Sequence, residues 1–169
     1  MINCIVLVLE YLTLREKKGL YVNLFISIVL SIFFYIINVK TELVIGVSNN
    51  SLNLLGILLG FTISLLAIIL SVENDYINKL KIKKIILKKK IYTKDFSLFD
   101  RLISSIVMVI ILLSFLLIYN FIIPIIYVKF LNSYLIYFVV NLFLIFFSIL
   151  ELVSCILNYY LTITSKSWN

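Results

Sequence analysis

The sequence contains no histidine, one proline, two cysteines and two arginines in 169 residues. Without histidine the chain cannot build histidine-based triads, histidine metal sites or histidine acid–base steps. Cys4 and Cys155 each lie inside an apolar run, which excludes a disulfide scaffold and a cysteine pair at metal-binding spacing. A glycine-rich phosphate loop and clustered carboxylates are also missing. We therefore expect no enzymatic activity, no catalytic residue, no metal and no cofactor.

Charge is scarce as well. Only 14% of the residues are charged, 63% are hydrophobic, and the mean hydropathy is +1.18. A soluble domain is about 25% charged and about 45–50% apolar. A chain of this size cannot bury such an apolar excess in one core. The composition therefore predicts an integral membrane protein.

Four windows have the length of about 20 apolar residues that a membrane-spanning helix needs. They are Leu20–Val39, Leu52–Val72, Leu102–Val128 and Tyr134–Leu161. We therefore predict an all-α bundle of four transmembrane helices. Thirteen of the fifteen basic residues fall on one side of this arrangement, and only Lys40 and Lys129 fall on the other. Basic residues favour the cytoplasmic side, so we predict that both termini and the loop between the second and third spans are cytoplasmic.

The spans divide the chain into five segments. Residues 1–19 are predicted to form a short amphipathic helix that lies in the membrane interface or packs on the bundle. Two transmembrane hairpins, 20–72 and 102–161, flank a lysine-rich cytoplasmic loop, 73–101, and a tail follows at 162–169. Ser97 and Asp100 match a capping box at the start of the third span, and Asp95 is a rival N-cap. Pro124 is expected to end or kink that span, leaving residues 125–131 as a turn or re-entrant segment.

Small residues form a stripe on the second span: Gly56, Gly60, Ser64 and Ala67. Small residues allow two membrane helices to approach closely, and Gly56 and Gly60 make a GxxxG motif. The interpretation we favour is that this face receives the first span within the hairpin. The alternatives are self-association of the protein and a face that lines a pore.

Polar residues recur along one side of the fourth span: Asn141, Ser148, Glu151, Cys155 and Asn158. Glu151 is the one ionisable residue inside the predicted spans, and such residues are costly in lipid unless they are paired. Arg101, at the cytoplasmic start of the third span, is the predicted partner of Glu151. An ion or proton pathway and a contact between subunits are the alternative roles of Glu151.

The cytoplasmic loop carries a lysine cluster: Lys79, Lys81, Lys83, Lys84, Lys88, Lys89 and Lys90. Three interpretations are open. The cluster is a topology signal, a binding surface for anionic lipid headgroups, or a docking site for a cytosolic protein. Nucleic acid ranks last, because only Tyr76 and Tyr92 flank the cluster and could stack on bases.

The segment from Asn53 to Ala67, the basic loop and the opening of the third span at Phe96–Arg101 resemble small membrane proteins of prokaryotic anti-phage defence systems. The tetraspan subunit of the Kiwa system is one of these. The resemblance covers roughly residues 53–114. It implies a non-enzymatic inner-membrane protein that oligomerises and works with a cytosolic partner, and it carries over no catalytic residue.

Two function classes follow. In the first, the protein is a component of an anti-phage defence or stress-response system. It self-associates and acts either as an effector that makes the membrane leaky or as a sensor and anchor for a cytosolic partner. In the second, it is a small oligomeric channel or transporter with Glu151 in the polar path. A holin-like protein also remains compatible with the GxxxG face.

Overall fold

A computed structural model describes residues 2–37, 41–71, 75–85, 96–129 and 134–164. Within these ranges the regular structure is helical, apart from one isolated β-bridge. The helices are α1 (Ile2–Leu14), α2 (Lys17–Ile36), α3 (Thr41–Ser71), α4 (Asp75–Ile82), α5 (Leu98–Lys129) and α6 (Tyr134–Thr164).

Four of these helices contain a stretch that is long and apolar enough to cross a membrane. The stretches are Lys17–Ile36 in α2, Asn49–Ser71 in α3, Leu98–Ile122 in α5 and Phe138–Tyr160 in α6. The predicted all-α architecture with four spans is therefore confirmed. The lipid-facing side chains explain the apolar composition, because Phe25, Ile57 and Phe121 stay largely exposed in the folded chain.

The four long helices pack in a row. Their main contacts join α2 to α6, α6 to α5, and α5 to α3, while α1 and α4 both pack against α5. The two halves of the first predicted hairpin thus sit at opposite ends of the row. The interpretation that the α3 small-residue stripe receives the first span is wrong, because α3 uses another face to pack on α5.

The reason lies in the side chains of α2. Its buried residues are Asn23, Ser27 and Ser31, at intervals of four, while most of its apolar residues are exposed. Ser27 and Ser31 donate to backbone carbonyls one turn earlier, and Asn23 reaches polar groups of α6. In lipid a polar face needs such partners. The polar side of α6 supplies them for Asn23, through Glu151 and Ser154, and the small-residue stripe of α3 does not.

The apolar core lies mainly between α3, α5 and α6. The buried apolar residues of α5 follow steps of four and three: Leu102, Ile106, Val109, Leu113 and Leu116. This spacing keeps one stripe of a helix facing its neighbours. Leu55, Thr62 and Ile69, seven residues apart on α3, are buried as well, so regular interlocking apolar and small side chains hold this pair together.

The start of α5 closes the lysine-rich segment. Ile85 N–H donates to Phe96 O at 2.8 Å and Leu98 N–H donates to Lys83 O at 3.0 Å, forming a short antiparallel neck. The predicted capping box is confirmed. Ser97 N–H donates to Asp100 Oδ2 at 2.8 Å, and Asp100 N–H donates to Ser97 Oγ at 3.1 Å.

The prediction that Pro124 ends its helix is wrong, since α5 continues to Lys129 and residues 125–129 are helical. The stretch of α5 that is apolar enough to cross a membrane ends at Ile122, two residues before the proline. The missing proline N–H removes one backbone hydrogen bond, and a long apolar helix tolerates that loss in a membrane protein.

Candidate functional site

Glu151 lies in the middle of α6 and is only 1% exposed. Three side chains from other helices approach its carboxylate. Tyr11 Oη donates to Oε2 at 2.8 Å, and Asn23 Nδ2 donates to Oε1 at 2.9 Å. Arg15 Nη2 lies 3.3 Å from Oε2 and 3.5 Å from Oε1. A buried carboxylate is tolerable when its oxygens receive this many donors.

Three elements bring these groups together, and we call Tyr11, Arg15, Asn23, Glu151 and Ser154 the Glu151 cluster. Tyr11 lies in the last turn of α1, and Arg15 directly follows the helix with its N–H donating to Tyr11 O at 2.8 Å, so the two side chains lie on the same side. Asn23 follows on α2 and also donates to Ser154 Oγ at 3.0 Å. The cluster therefore ties the N-terminal helix to two spans.

The predicted pair of Arg101 with Glu151 is wrong. Arg101 Nη2 instead lies 3.1 Å from Glu16 Oε1, and Glu16 is 71% exposed. Each of the two arginines thus pairs with a carboxylate on another helix or junction. Arg15 pairs with Glu151 of α6, and Arg101 of α5 pairs with Glu16 at the α1–α2 junction.

Depth and direction explain this outcome. Arg101 is three residues inside the α5 stretch, whereas Glu151 is nine residues from the end of the antiparallel α6 stretch. At about 1.5 Å per residue this is a difference in depth of roughly 9 Å. Side chains tilt toward the N-terminus of their own helix, so those of antiparallel neighbours diverge further. Arg15 approaches from α1, which no spacing within the spans predicts.

Arg15 is accommodated imperfectly. It is 7% exposed, and its Nε is buried without a hydrogen-bond partner. A Cβ built on Gly19 would lie 3.6 Å from Arg15 Nη2, so the guanidinium packs directly over the start of α2. Burial, and then the charge of Glu151, raise the pKa of Tyr11 far above its usual value. The Tyr11 phenol therefore stays protonated and acts as a donor.

A second polar group links α3, α5 and α6 at a separate level. Asn120 and Asn141 exchange hydrogen bonds, with Asn120 Nδ2 donating to Asn141 Oδ1 at 2.9 Å and Asn141 Nδ2 donating to Asn120 Oδ1 at 2.8 Å. Ser51 Oγ also donates to Asn120 Oδ1 at 2.8 Å. All three residues are buried. Asn141 belongs to the predicted seam, but Asn120 and Ser51 were missed, although an amide within an apolar run is itself a signal.

The other residues of the predicted seam also have defined positions. Ser148 and Cys155 are buried beside Glu151 on the inner face of α6, whereas Asn158 is exposed. The seam is therefore mainly an internal contact between helices. Within the described residues, α1 and α2 cover the part of it around Glu151.

The small-residue stripe of α3 faces outward. Gly56, Gly60, Ser64 and Ala67 are all exposed, and no side chain lies within 4 Å of a Cβ built on either glycine. Ser64 Oγ donates to Gly60 O on the same helix at 2.9 Å. The stripe lies away from Leu55, Thr62 and Ile69, which face α5. Self-association and a role in lining a pore stay predictions.

Part of the lysine cluster is described. Lys79, Lys81, Lys83 and Lys84 are exposed, on α4 or on the neck. Lys81 Nζ lies 5.3 Å from the centre of the Phe99 ring, a cation–π contact that joins α4 to α5. Ile77 and Leu80 bury the other face of α4. Lys88, Lys89 and Lys90 lie outside the described residues.

Among the described residues no group of three or more cysteine, aspartate or glutamate side chains could hold a metal ion. Comparison of the chain with protein-family models, curated proteins and solved structures gives no match.

Proposed function

We propose that this chain is a non-enzymatic inner-membrane component of a bacterial anti-phage defence or stress-response system. It acts as a membrane sensor and anchor, self-associates through the small-residue stripe of α3, and presents its basic loop to a cytosolic partner. The resemblance of residues 53–114 to the membrane subunit of the Kiwa system supports the defence context. The Glu151 cluster supports the sensor and anchor role.

The enclosure of Glu151 is the observation that carries this choice of role. A carboxylate that conducts ions or protons needs access to water or to a relay of titratable groups. The carboxylate oxygens of Glu151 instead contact donors of Tyr11, Arg15 and Asn23, and the carboxylate is almost fully buried. The cluster thus works as a tether between α1 and the spans, and this favours an anchor over the alternative channel or transporter.

The stripe on α3 supports self-association. Gly56 and Gly60 are two of only four glycines in the chain, and both face outward on a helix whose opposite side packs on α5. A second copy of α3 is the natural occupant, because two identical stripes allow close backbone contact about a twofold axis.

The basic loop supports coupling to the cytosol. α4 and the neck hold Lys79, Lys81, Lys83 and Lys84 exposed at the end of the bundle where α5 begins. We infer that this end is cytoplasmic, because thirteen of fifteen basic residues lie on its side. An acidic surface of a cytosolic protein fits this cluster, and anionic headgroups compete for it.

A phage challenge in bacteria tests the proposed function. Cells that express the chain together with its neighbouring genes should reduce phage plating, and cells that express either part alone should not. A potential-sensitive dye should show no depolarisation when the chain is expressed alone. Depolarisation by the chain alone would support the effector, and a steady ion leak abolished in Glu151→Gln would support the channel. Unchanged plating by the complete set of genes would contradict the defence role.

A further inference from the structure

We propose that α1 is a releasable clamp, docked over Glu151 in one state and lying on the membrane surface in the other, with anionic lipid favouring the second state. The proposal rests on the sensor role proposed above and supplies its switch. It follows from how the α1–Glu151 contact is built, what would hold the spans together without α1, and where the basic residues lie.

The docked contact is incompletely satisfied. Arg15 approaches Glu151 at 3.3 and 3.5 Å, which is long for a charge-assisted bond, and its buried Nε has no partner. Burying a guanidinium costs free energy that only good geometry repays. The Arg15–Glu151 pair therefore stabilises docking less than a fully satisfied ion pair would, which leaves anionic lipid able to compete for Arg15.

The spans keep their own contacts when α1 leaves. Asn23 on α2 donates to both Glu151 and Ser154, so the carboxylate retains a donor. The contacts of α2 with α6, and of α3 with α5, do not involve α1. Two residues, Arg15 and Glu16, connect α1 to α2, and Glu16 is extended, so rotation about this junction moves α1 as a unit.

The released helix can bind to the membrane surface. Leu9 and Leu12 are about half exposed in the docked state, and α1 is apolar apart from a few positions. In the released state this apolar face can be buried at the headgroup–acyl boundary of the bilayer. Release also frees Arg15, which joins the exposed Lys17 and Lys18 at the start of α2.

Anionic lipid distinguishes the two states. In the docked state Glu151 neutralises the buried Arg15, whereas in the released state a lipid phosphate takes that role. A ligand shifts an equilibrium only through such a difference in its interactions. An anionic headgroup and Glu151 therefore compete for Arg15, and the state of α1 reports the charge of the membrane surface.

Hydrogen exchange of the full-length protein in nanodiscs tests this proposal. In phosphatidylcholine, amides of α1 should exchange faster than those of α5 and α6 but slower than those of a free helix. Adding phosphatidylglycerol should speed exchange in α1 by about tenfold and leave α5 and α6 unchanged. Glu151→Gln leaves Arg15 buried without a counter-charge, so its α1 should exchange rapidly in both lipids.

A triple variant should hold α1 in the docked state. Tyr11→Phe, Arg15→Met and Glu151→Leu together replace the polar contact with an apolar one, and such replacements are often neutral or stabilising. Its α1 should stay protected in both lipids. Tyr11→Phe alone is a milder release variant for the case that Glu151→Gln does not fold. Asp75→Asn is the control, since it changes an exposed carboxylate on α4, away from the α1–α2 junction, and should leave α1 exchange unchanged.

Three results would overturn the clamp. The first is amide exchange in α1 as slow as that in α5 and α6. The second is a rate of exchange in α1 that does not change with phosphatidylglycerol. The third is a rate in both Tyr11→Phe and Glu151→Gln equal to that of the wild type. The outcome is independent of the phage challenge. If the cells do not resist phage but exchange in α1 responds to lipid, only the defence role is contradicted. If the cells resist phage but exchange in α1 does not respond to lipid, only the clamp is contradicted.

Discussion

At the residue scale, two groups of buried polar side chains form hydrogen bonds between helices. Glu151 accepts from three side chains, and Asn120 and Asn141 exchange two hydrogen bonds. The two groups use different chemistry. The amide pair is neutral and fully matched, whereas the Glu151 cluster contains a charge pair with an unpaired Nε. They should therefore respond differently to mutation.

The amide pair should behave as one unit. Asn120→Leu or Asn141→Leu alone leaves the other amide buried without its partner, and we expect each to lower the free energy of unfolding by about 1–3 kcal/mol. The double variant should cost clearly less than the sum of the two, because it removes both amides. Denaturant titration of the three variants in detergent measures this coupling, and simple additivity would contradict it.

Gly19 should tolerate alanine and reject larger side chains. A Cβ at this position would lie 3.6 Å from Arg15 Nη2, an ordinary van der Waals distance, so Gly19→Ala should be neutral or stabilise α2 by up to about 1 kcal/mol. Gly19→Leu should displace the guanidinium from Glu151. Thermal unfolding compares the two variants, and equal midpoints would show that Gly19 does not shape the Arg15 site.

At the element scale, each long helix packs on its neighbours through one face and exposes the other face. α5 and α6 are central, while α2 and α3 lie at the ends of the row and expose most of their surface. The outward faces of the two end helices differ. That of α2 carries large apolar side chains such as Phe25, whereas that of α3 carries the small-residue stripe.

The α3 stripe should control oligomeric state. Gly60→Val places a branched side chain where two copies of α3 meet, and we expect it to convert dimers or larger oligomers to monomers. Ile28→Trp adds bulk to the exposed face of α2 and serves as the control. Mass photometry in nanodiscs measures the change. A wild-type protein that is already monomeric would refute self-association.

The capping box should stabilise the first turn of α5. Asp100→Ala removes the carboxylate that accepts from Ser97 N–H and Oγ, and we expect a loss of about 1 kcal/mol with faster amide exchange near Leu98. Asp75→Ala, at the start of the short helix α4, is the comparison. Equal effects on the amides of α5 would argue against a local cap.

At the scale of the whole molecule, the ion pair of Glu16 with Arg101 places the α1–α2 junction and the start of α5 at the same end of the bundle. The neck and α4 adjoin this end as well. The basic residues near it make this the end that positive-inside bias assigns to the cytoplasm.

Cysteine labelling tests this orientation. In a background without Cys4 and Cys155, Lys18→Cys and Lys84→Cys should react with a membrane-impermeant maleimide only after the inner membrane is opened. Ile37→Cys, at the other end of α2, should react in intact spheroplasts. The reverse pattern would invert the topology, and labelling of Lys18 and Lys84 from opposite sides would contradict the fold.

The sequence by itself determined the membrane class, the four spans, the N-terminal helix and the cap of α5. These features depend on composition, on runs of apolar residues and on contacts between residues close in the chain. It also identified Glu151 as the residue that most needs a partner. Only the tertiary structure decided that Arg15 is this partner, that α2 packs on α6, and that the α3 stripe faces outward. Such outcomes depend on the depth and direction of side chains on different helices, which spacing along one helix does not contain.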